Sequence, residues 1–319
     1  MQFRTQIPIT KSSHSIGYNS KIVSLGSCFA VNMGEKLNYF KFRNTINPFG
    51  ILFHPLAIEK FIGYTLQQKQ FTEADIFYHN ERWHCFDAHS DLSNPDKNVL
   101  LQNLTIATTT TRLALQQASH SIITLGTAWV YRHKESGNIV ANCHKVPQKE
   151  FTKALLSVTA IKESLEKTMA LVREVNPKIK FVFTVSPVRH IKDGFVENQW
   201  SKANLIAALH EVLTTPPSGA DGLYFPSYEI MMDELRDYRF YESDMIHPNN
   251  IAIDYIWERF TETYIEETTQ AMMKEVNTIQ KGLLHRPFNP DSEEHKAFQE
   301  KLKQRSANLH AKYPTIIFE

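Results

Sequence analysis

KIVSLGSCFA, residues 21–30, decides how the rest of the chain is read. Its apolar run Ile22-Val23-Ser24-Leu25 breaks at Gly26-Ser27-Cys28, and Phe29, Met33, Leu37 and Phe40 then recur at helical spacing. A short buried-type strand that turns at a glycine straight into a helix is the repeating unit of an α/β fold. The same unit returns further on. Ser121-Ile122-Ile123-Thr124-Leu125 ends at Gly126-Thr127, KIKFVFTVSPV (178–188) ends at Pro187, and GLYFPSYEI (222–230) reads as another strand. Helical patterns fall at residues 56–68, 99–118, 149–175, 198–214 and 249–275. Alternation of this kind predicts a three-layer α/β/α fold around a mainly parallel sheet.

Two segments interrupt that order. Residues 76–90 mix aromatic and polar side chains as a hairpin does, and WVYRHKESGNIVANCHKVP (129–147) carries Ser136-Gly137-Asn138, the turn chemistry of a β-ribbon. Residues 41–55 read as a brief extended segment followed by tight turns at Asn47-Pro48 and Gly50. After Gly282 the chain becomes charge-rich through EEHKAFQEKLKQRSANLHAKY, the pattern of a solvated helix. The expected organisation is a main domain over residues 1–278 and a charged helical extension over 279–319.

Composition narrows the function classes. The 319 residues are 42% hydrophobic and 22% charged, and their formal net charge of +1 offers no broad basic field for a nucleic-acid backbone. No run of about 18 apolar residues suggests a membrane partner. Three cysteines without a CxxC pair, and an N-terminus lacking the apolar stretch of a secretory signal, point to a reducing, cytoplasmic setting. The dinucleotide and P-loop glycine patterns are absent, and no cofactor is expected.

Open α/β sheets bind ligands outside the carboxyl ends of their strands. Four sequence stretches belong on that rim: Gly26-Ser27, Gly126-Thr127, Ser186-Pro187-Val188-Arg189-His190, and Ser243-Asp244-Met245-Ile246-His247-Pro248-Asn249. A serine hydroxyl attacks well only when an imidazole takes its proton and a carboxylate fixes the imidazole tautomer. The D-x-x-H spacing of Asp244 and His247 lets one short loop supply both groups, and a serine opening a helix has free backbone N–H groups beside it for an oxyanion. The plainer reading of Ser27 alone is a helix N-cap, and Cys28 beside it reads as a small packing residue. The set His79, His84, Cys85, Asp87, His89 and Asp91 has metal-ligand chemistry but no H-x-x-x-H spacing, and strand alternation would split it between two faces, so no metal is expected. Arg189 and His190 are balanced between a salt-bridged loop and substrate contact, and Trp129 and Tyr131 between core and a platform for a sugar ring.

The stretches GSCFA (26–30) and SDMIHPN (243–249), with NPFGILFHP (47–55), FDAHSDLS (86–93), TLGTAWVYRH (124–133), ANCHKVPQKEF (141–151) and SPVRHIKDG (186–194), resemble the GSCFA-domain family, a branch of the SGNH/GDSL hydrolase-like superfamily. The resemblance implies an SGNH-type serine hydrolase that cleaves a small acyl ester, such as an acetyl group on a carbohydrate or metabolite. Ser27 aligns with the nucleophile, His247 with the general base and Asp244 with its orienting acid. Acyl transfer by the same residues, or a non-catalytic carbohydrate- or metabolite-binding protein that keeps the cleft, are the alternatives. The superfamily's oxyanion hole implies donors at Ser27 and Gly50. Its third donor, the asparagine of G-x-N, is replaced here by Gly126-Thr127-Ala128, and Asn142, Thr127 and the Arg189-His190 pair are the candidates to stand in for it, with Asn142 taken as the oxyanion donor. Gly126, Thr127, Trp129, His144, Arg189 and His190 complete the candidate substrate-binding set.

Overall fold

The computed structural model describes residues 5–214 and 222–318. In chain order the elements are β1 (Lys21–Gly26), α1 (Cys28–Tyr39), β2 (Arg43–Ile46), α2 (Pro55–Leu66), β3 (Phe77–His79), β4 (Arg82–His84), α3 (Lys97–Gln117), β5 (His120–Leu125), β6 (Trp129–His133), β7 (Ile139–Val140), β8 (Phe151–Leu155), α4 (Val158–Val175), β9 (Lys180–Val185) and α5 (Phe195–Thr214). Then come β10 (Gly222–Phe225), the single turn α6 (Ser227–Glu229) running into a π-helical turn at Ile230–Glu234, α7 (Asn250–Tyr264), α8 (Glu267–Leu283) and α9 (Glu293–Lys312).

Five strands pair in parallel in the order β2-β1-β5-β9-β10. Counted within the sheet this is 2-1-3-4-5, a doubly wound order whose direction reverses between β1 and β5. Strand alternation sends Val23, Leu25, Ile123, Leu125, Phe181 and Phe183 into a core with α2, α3, α4 and α5. Ile22, Ile122, Val182 and Phe225 face the other way, into a core with α1, α7 and α8. The β1-α1-β2 connection runs opposite to the later ones, so right-handed crossovers place α1 on the opposite face from α2–α5. The protein is therefore an α/β fold with helices on both faces of a parallel sheet, as expected from the strand-helix alternation.

Four segments differ from the sequence-based expectation. The helix expected over 149–175 begins only at Val158, where Ser157 Oγ accepts the Ala160 N–H at 3.2 Å. Residues 151–155 instead form the third strand of the ribbon β7-β6-β8, paired antiparallel with β6. The helix expected over 249–275 is broken into α7 and α8 at Ile265, which bridges to Ile16, and Glu266 N–H donates to the Ile16 carbonyl at 3.1 Å. The strand expected over 222–230 ends at Phe225, before Pro226. The terminal helix α9 is mostly exposed, but its Leu302 and Leu309, and Ile316 after its end, are buried, and Arg305 makes a bidentate pair with Glu275 of α8 at 2.6 Å per bond. The hairpin expected over 76–90 is present as β3-β4, turning at Asn80-Glu81 with φ of +47° and +60°.

Among the described residues no helix is long and apolar enough to cross a membrane.

Candidate active site

The direction reversal between β1 and β5 opens a cleft of about 460 Å³ at the carboxyl rim of the sheet. Cys28, Phe53, Thr127, Trp129, Asn142, Arg189, His190 and His247 are among the residues on its walls. Three of the four predicted rim stretches thus converge with the ribbon on one cavity. A larger groove of about 880 Å³ lies among α1, α7 and α8, but no Ser, Cys or His lines it.

Asp244 and His247 are brought together by the loop that leads into α7. Asp244 Oδ1 accepts the N–H groups of Ile246 and His247 at 2.8 and 3.0 Å, and Oδ2 lies 2.6 Å from His247 Nδ1. The first cause that holds the Asp244 carboxyl down at about 2 is its hydrogen bond to the imidazole, followed by the backbone donors. With Nδ1–H given to a carboxylate, Nε2 is left as the acceptor, and no described residue occupies it. Arg189 fixes this loop from β9's side. Its N–H donates to the Ile246 carbonyl at 3.2 Å, its guanidinium donates to the Met245 carbonyl, and its charge stacks 4.5 Å over the Tyr241 ring. Arg189 thus holds the loop that carries the Asp–His pair.

At the end of β1, Gly26 takes φ of +132°, a conformation suited to glycine, and a Cβ there would stand 2.0 Å from the Thr124 carbonyl oxygen. The bend turns the two following side chains in different directions. Ser27 is fully buried, its N–H donates to the Thr124 carbonyl at 3.0 Å, and its Oγ has no hydrogen-bond partner. Gly126 closes over it, so near that a Cβ on Gly126 would meet Ser27 Cβ at 3.1 Å. Cys28, expected to pack, is partly exposed and lines the cleft with His247. Burial raises the Cys28 thiol, while the Lys202 charge and the N–H groups of Phe29 and Cys28 oppose that rise. Those two N–H groups open α1 and donate to no described carbonyl.

Lys202 was not singled out from the sequence. It is fully buried on α5, and its ammonium donates to the carbonyls of Gly126 at 2.8 Å and Ser186 at 2.7 Å, tying together the ends of β5 and β9. A signal existed: Lys202 stands on the helical stripe of Leu205, Leu209 and Val212, where a charge is out of place. Burial pushes this lysine down to about 7 from its ordinary 10.5. Between those two values the unfolded chain keeps the proton that the folded chain sheds, so this group makes unfolding free energy rise with pH across that window and contributes least below it. Lys202→Met is expected to flatten the rise in melting temperature between about pH 6.5 and 9. A variant melting curve that climbs as steeply as wild type over that range would contradict the assignment.

The other candidate positions divide. Asn142 lines the cleft, and its Oδ1 accepts the His144 N–H at 2.8 Å, which leaves its Nδ2 donors without a partner among the described residues. His190 also faces the cleft; its Nε2 is buried without a partner, and burial above all, with Lys202 and His247 nearby, holds the ring neutral at about 3. Trp129 and Tyr131 stand on the wall, with the Lys153 ammonium 4.4 Å over the Trp129 ring. Thr127 touches the cleft, but its hydroxyl lies 3.1 Å from Ser201 Oγ and accepts the Trp129 N–H at 3.0 Å. The N–H groups of Gly126 and Thr127 both donate to the Phe53 carbonyl, at 2.8 and 3.0 Å. Gly50 stands apart from the cleft lining: its N–H closes a turn onto the Asn47 carbonyl at 2.7 Å and His89 packs against it. His144 is likewise elsewhere, buried with Nε2 2.7 Å from the Cys85 carbonyl and burial holding it at about 4.

The histidine-rich hairpin region is knit internally. His84 lies between Ser93 Oγ and the His79 carbonyl at 2.7 and 2.9 Å, while Asp87 accepts from Lys60 and Tyr64 at 2.7 and 2.8 Å. Among the described residues no three His, Cys, Asp or Glu side chains converge as a metal site.

The fold is that of the α/β proteins with a cleft at the switch point of a parallel sheet, and here that cleft holds an Asp-oriented histidine and the start of a helix. Residues 21–260 match the GSCFA family and residues 276–319 match the C-terminal domain of GSCFA domain proteins. The chain belongs to the GSCFA family. No curated protein matches it.

Proposed function

We propose that the protein is an acyl hydrolase of SGNH type, removing a small acyl group from an alcohol oxygen. The observation that carries this reading is the Asp244–His247 bond of 2.6 Å, which leaves Nε2 open on a cleft that also holds the start of α1. In this chemistry His247 takes the proton of a nucleophile at the start of α1, Asp244 stabilises the imidazolium, and the imidazolium returns the proton to the departing alkoxide. Asn142 Nδ2 and the free N–H groups of α1 are the donors suited to the tetrahedral oxyanion, whereas the Gly50 N–H is engaged in its own turn. Ser27, the nucleophile implied by the family resemblance, would have to leave its sealed niche under Gly126 to attack. Trp129 and Tyr131 put aromatic surface on the cleft wall, the kind of side chain that packs against sugars, which makes an O-acylated carbohydrate a suitable substrate. Transfer to an acceptor alcohol in place of water uses the same groups. The three free thiols suit a reducing compartment, and we place the protein in the cytoplasm on that ground.

Turnover of p-nitrophenyl acetate tests the reading. Asp244→Asn is expected to lower kcat at least about tenfold, because the amide no longer favours the imidazolium or the Nδ1–H tautomer. Equal turnover in the two proteins would sink the hydrolase reading and favour a cleft that only binds.

A further inference from the structure

We infer that the attacking atom is the Cys28 sulphur, so that the acyl group passes through a thioester rather than an ester of Ser27. The inference rests on the acyl-transfer reading above and names its nucleophile. Three observations carry it.

The first is direction. Cys28 and His247 line the same cleft, while the Ser27 hydroxyl has no accessible surface and lies beneath Gly126. An acyl carbon cannot reach an atom that a solvent probe cannot. Bringing Ser27 Oγ into the cleft would need room past Gly126, which stands so near that a Cβ on it would meet Ser27 Cβ at 3.1 Å.

The second is the support around the sulphur. The N–H groups of Cys28 and Phe29, free at the positive end of α1, both favour the thiolate, and so does Lys202 at the adjacent strand ends while it keeps its proton, below about 7. Cys143 also lines the cleft, but burial alone acts on it, raising it to about 11. Cys85 is buried outside the cleft lining.

The third is the match between base and nucleophile. Burial keeps the Cys28 thiol protonated at rest, so the reaction needs a base with an open nitrogen, and His247 Nε2 is open on that wall. The Sγ proton moves to Nε2 as the sulphur–carbon bond forms and the carbonyl π pair moves onto oxygen. Collapse of that intermediate breaks the carbon–oxygen bond, and the departing alkoxide takes the proton from the imidazolium. Water, or an acceptor alcohol, then attacks the thioester carbon and gives its proton to His247. The carbon–sulphur bond breaks as the sulphur leaves, and the imidazolium returns its proton to it.

Wild-type protein is acetylated with p-nitrophenyl acetate, quenched in acid and digested, and the mark is mapped by fragmentation before and after neutral hydroxylamine, which cleaves thioesters and spares ordinary serine esters. The expected result is an acetyl group on Cys28 that hydroxylamine removes, with none trapped on the Cys28→Ala chain. Because the mapping uses the wild-type protein, it decides even if that variant does not fold. A hydroxylamine-stable acetyl group on Ser27, a mark on Cys143, or turnover with no trapped group would overturn the inference while leaving acyl hydrolysis standing. No trapped group together with turnover no faster than that of His247→Ala would overturn both.

Discussion

His247→Ala is expected to lower kcat/KM for a short acyl ester about a thousandfold, the size of effect seen when a general base and its later acid role are both removed. The imidazole is the one group in the cleft with a carboxylate on one nitrogen and nothing on the other. The other cleft histidines are poor substitutes: His190 is held neutral at about 3 and has no carboxylate to steady a charge, and both nitrogens of His54 are engaged, Nδ1 by the Ala57 N–H and Nε2 by the Val140 carbonyl. Asp244 and His247 are 45% and 47% exposed, and a pair so open to water adds little to folding. The variant should therefore melt close to wild type while losing activity. Loss of both would indicate that the loop is a structural clasp and not a catalytic one. Asp244, held at about 2, stays an anion throughout the usual assay range, so an acid limb in the pH profile of kcat/KM would not report its titration.

Gly26→Ala carries the second large effect, on folding. The new Cβ would lie 2.0 Å from the Thr124 carbonyl oxygen, in the neighbouring central strand, at a φ of +132°. Neither neighbour is a flexible side chain: β1 and β5 are paired here, with Gly26 opposite Thr124. Backbone strain adds to a clash that only strand displacement can relieve, and the expected loss is about 4 kcal/mol or more in denaturant unfolding. A loss below about 1 kcal/mol would mean that the β1–α1 turn is not built as described. The same turn directs Ser27 downward and Cys28 outward, so folding and nucleophile placement depend on one glycine.

What the sequence disclosed was local. The β1–α1 unit is carried by consecutive residues with their own periodicity, and the Asp244–His247 pair by a three-residue spacing that one loop satisfies. What it withheld depends on neighbours distant in sequence. Which of Ser27 and Cys28 faces the cleft is decided by the bend at Gly26 and by the approach of Gly126 from β5, and no pattern within GSCFA shows either. Residues 151–155 acquire their strand identity from β6 alongside, and alone they read as the first turns of a helix. Lys202 was visible as a charge on an apolar stripe, but its two acceptors come from the ends of β5 and β9. Gly50 shows the same limit in reverse: a glycine in the right stretch of sequence whose N–H is already used by its own turn.

Rapid-mixing measurement of p-nitrophenolate release from wild-type protein tests most directly whether this cleft performs acyl transfer. A fast phase of about one equivalent per chain, followed by slower turnover, is expected, with both phases lost in His247→Ala. A single linear release at the same rate in wild type and His247→Ala would contradict it.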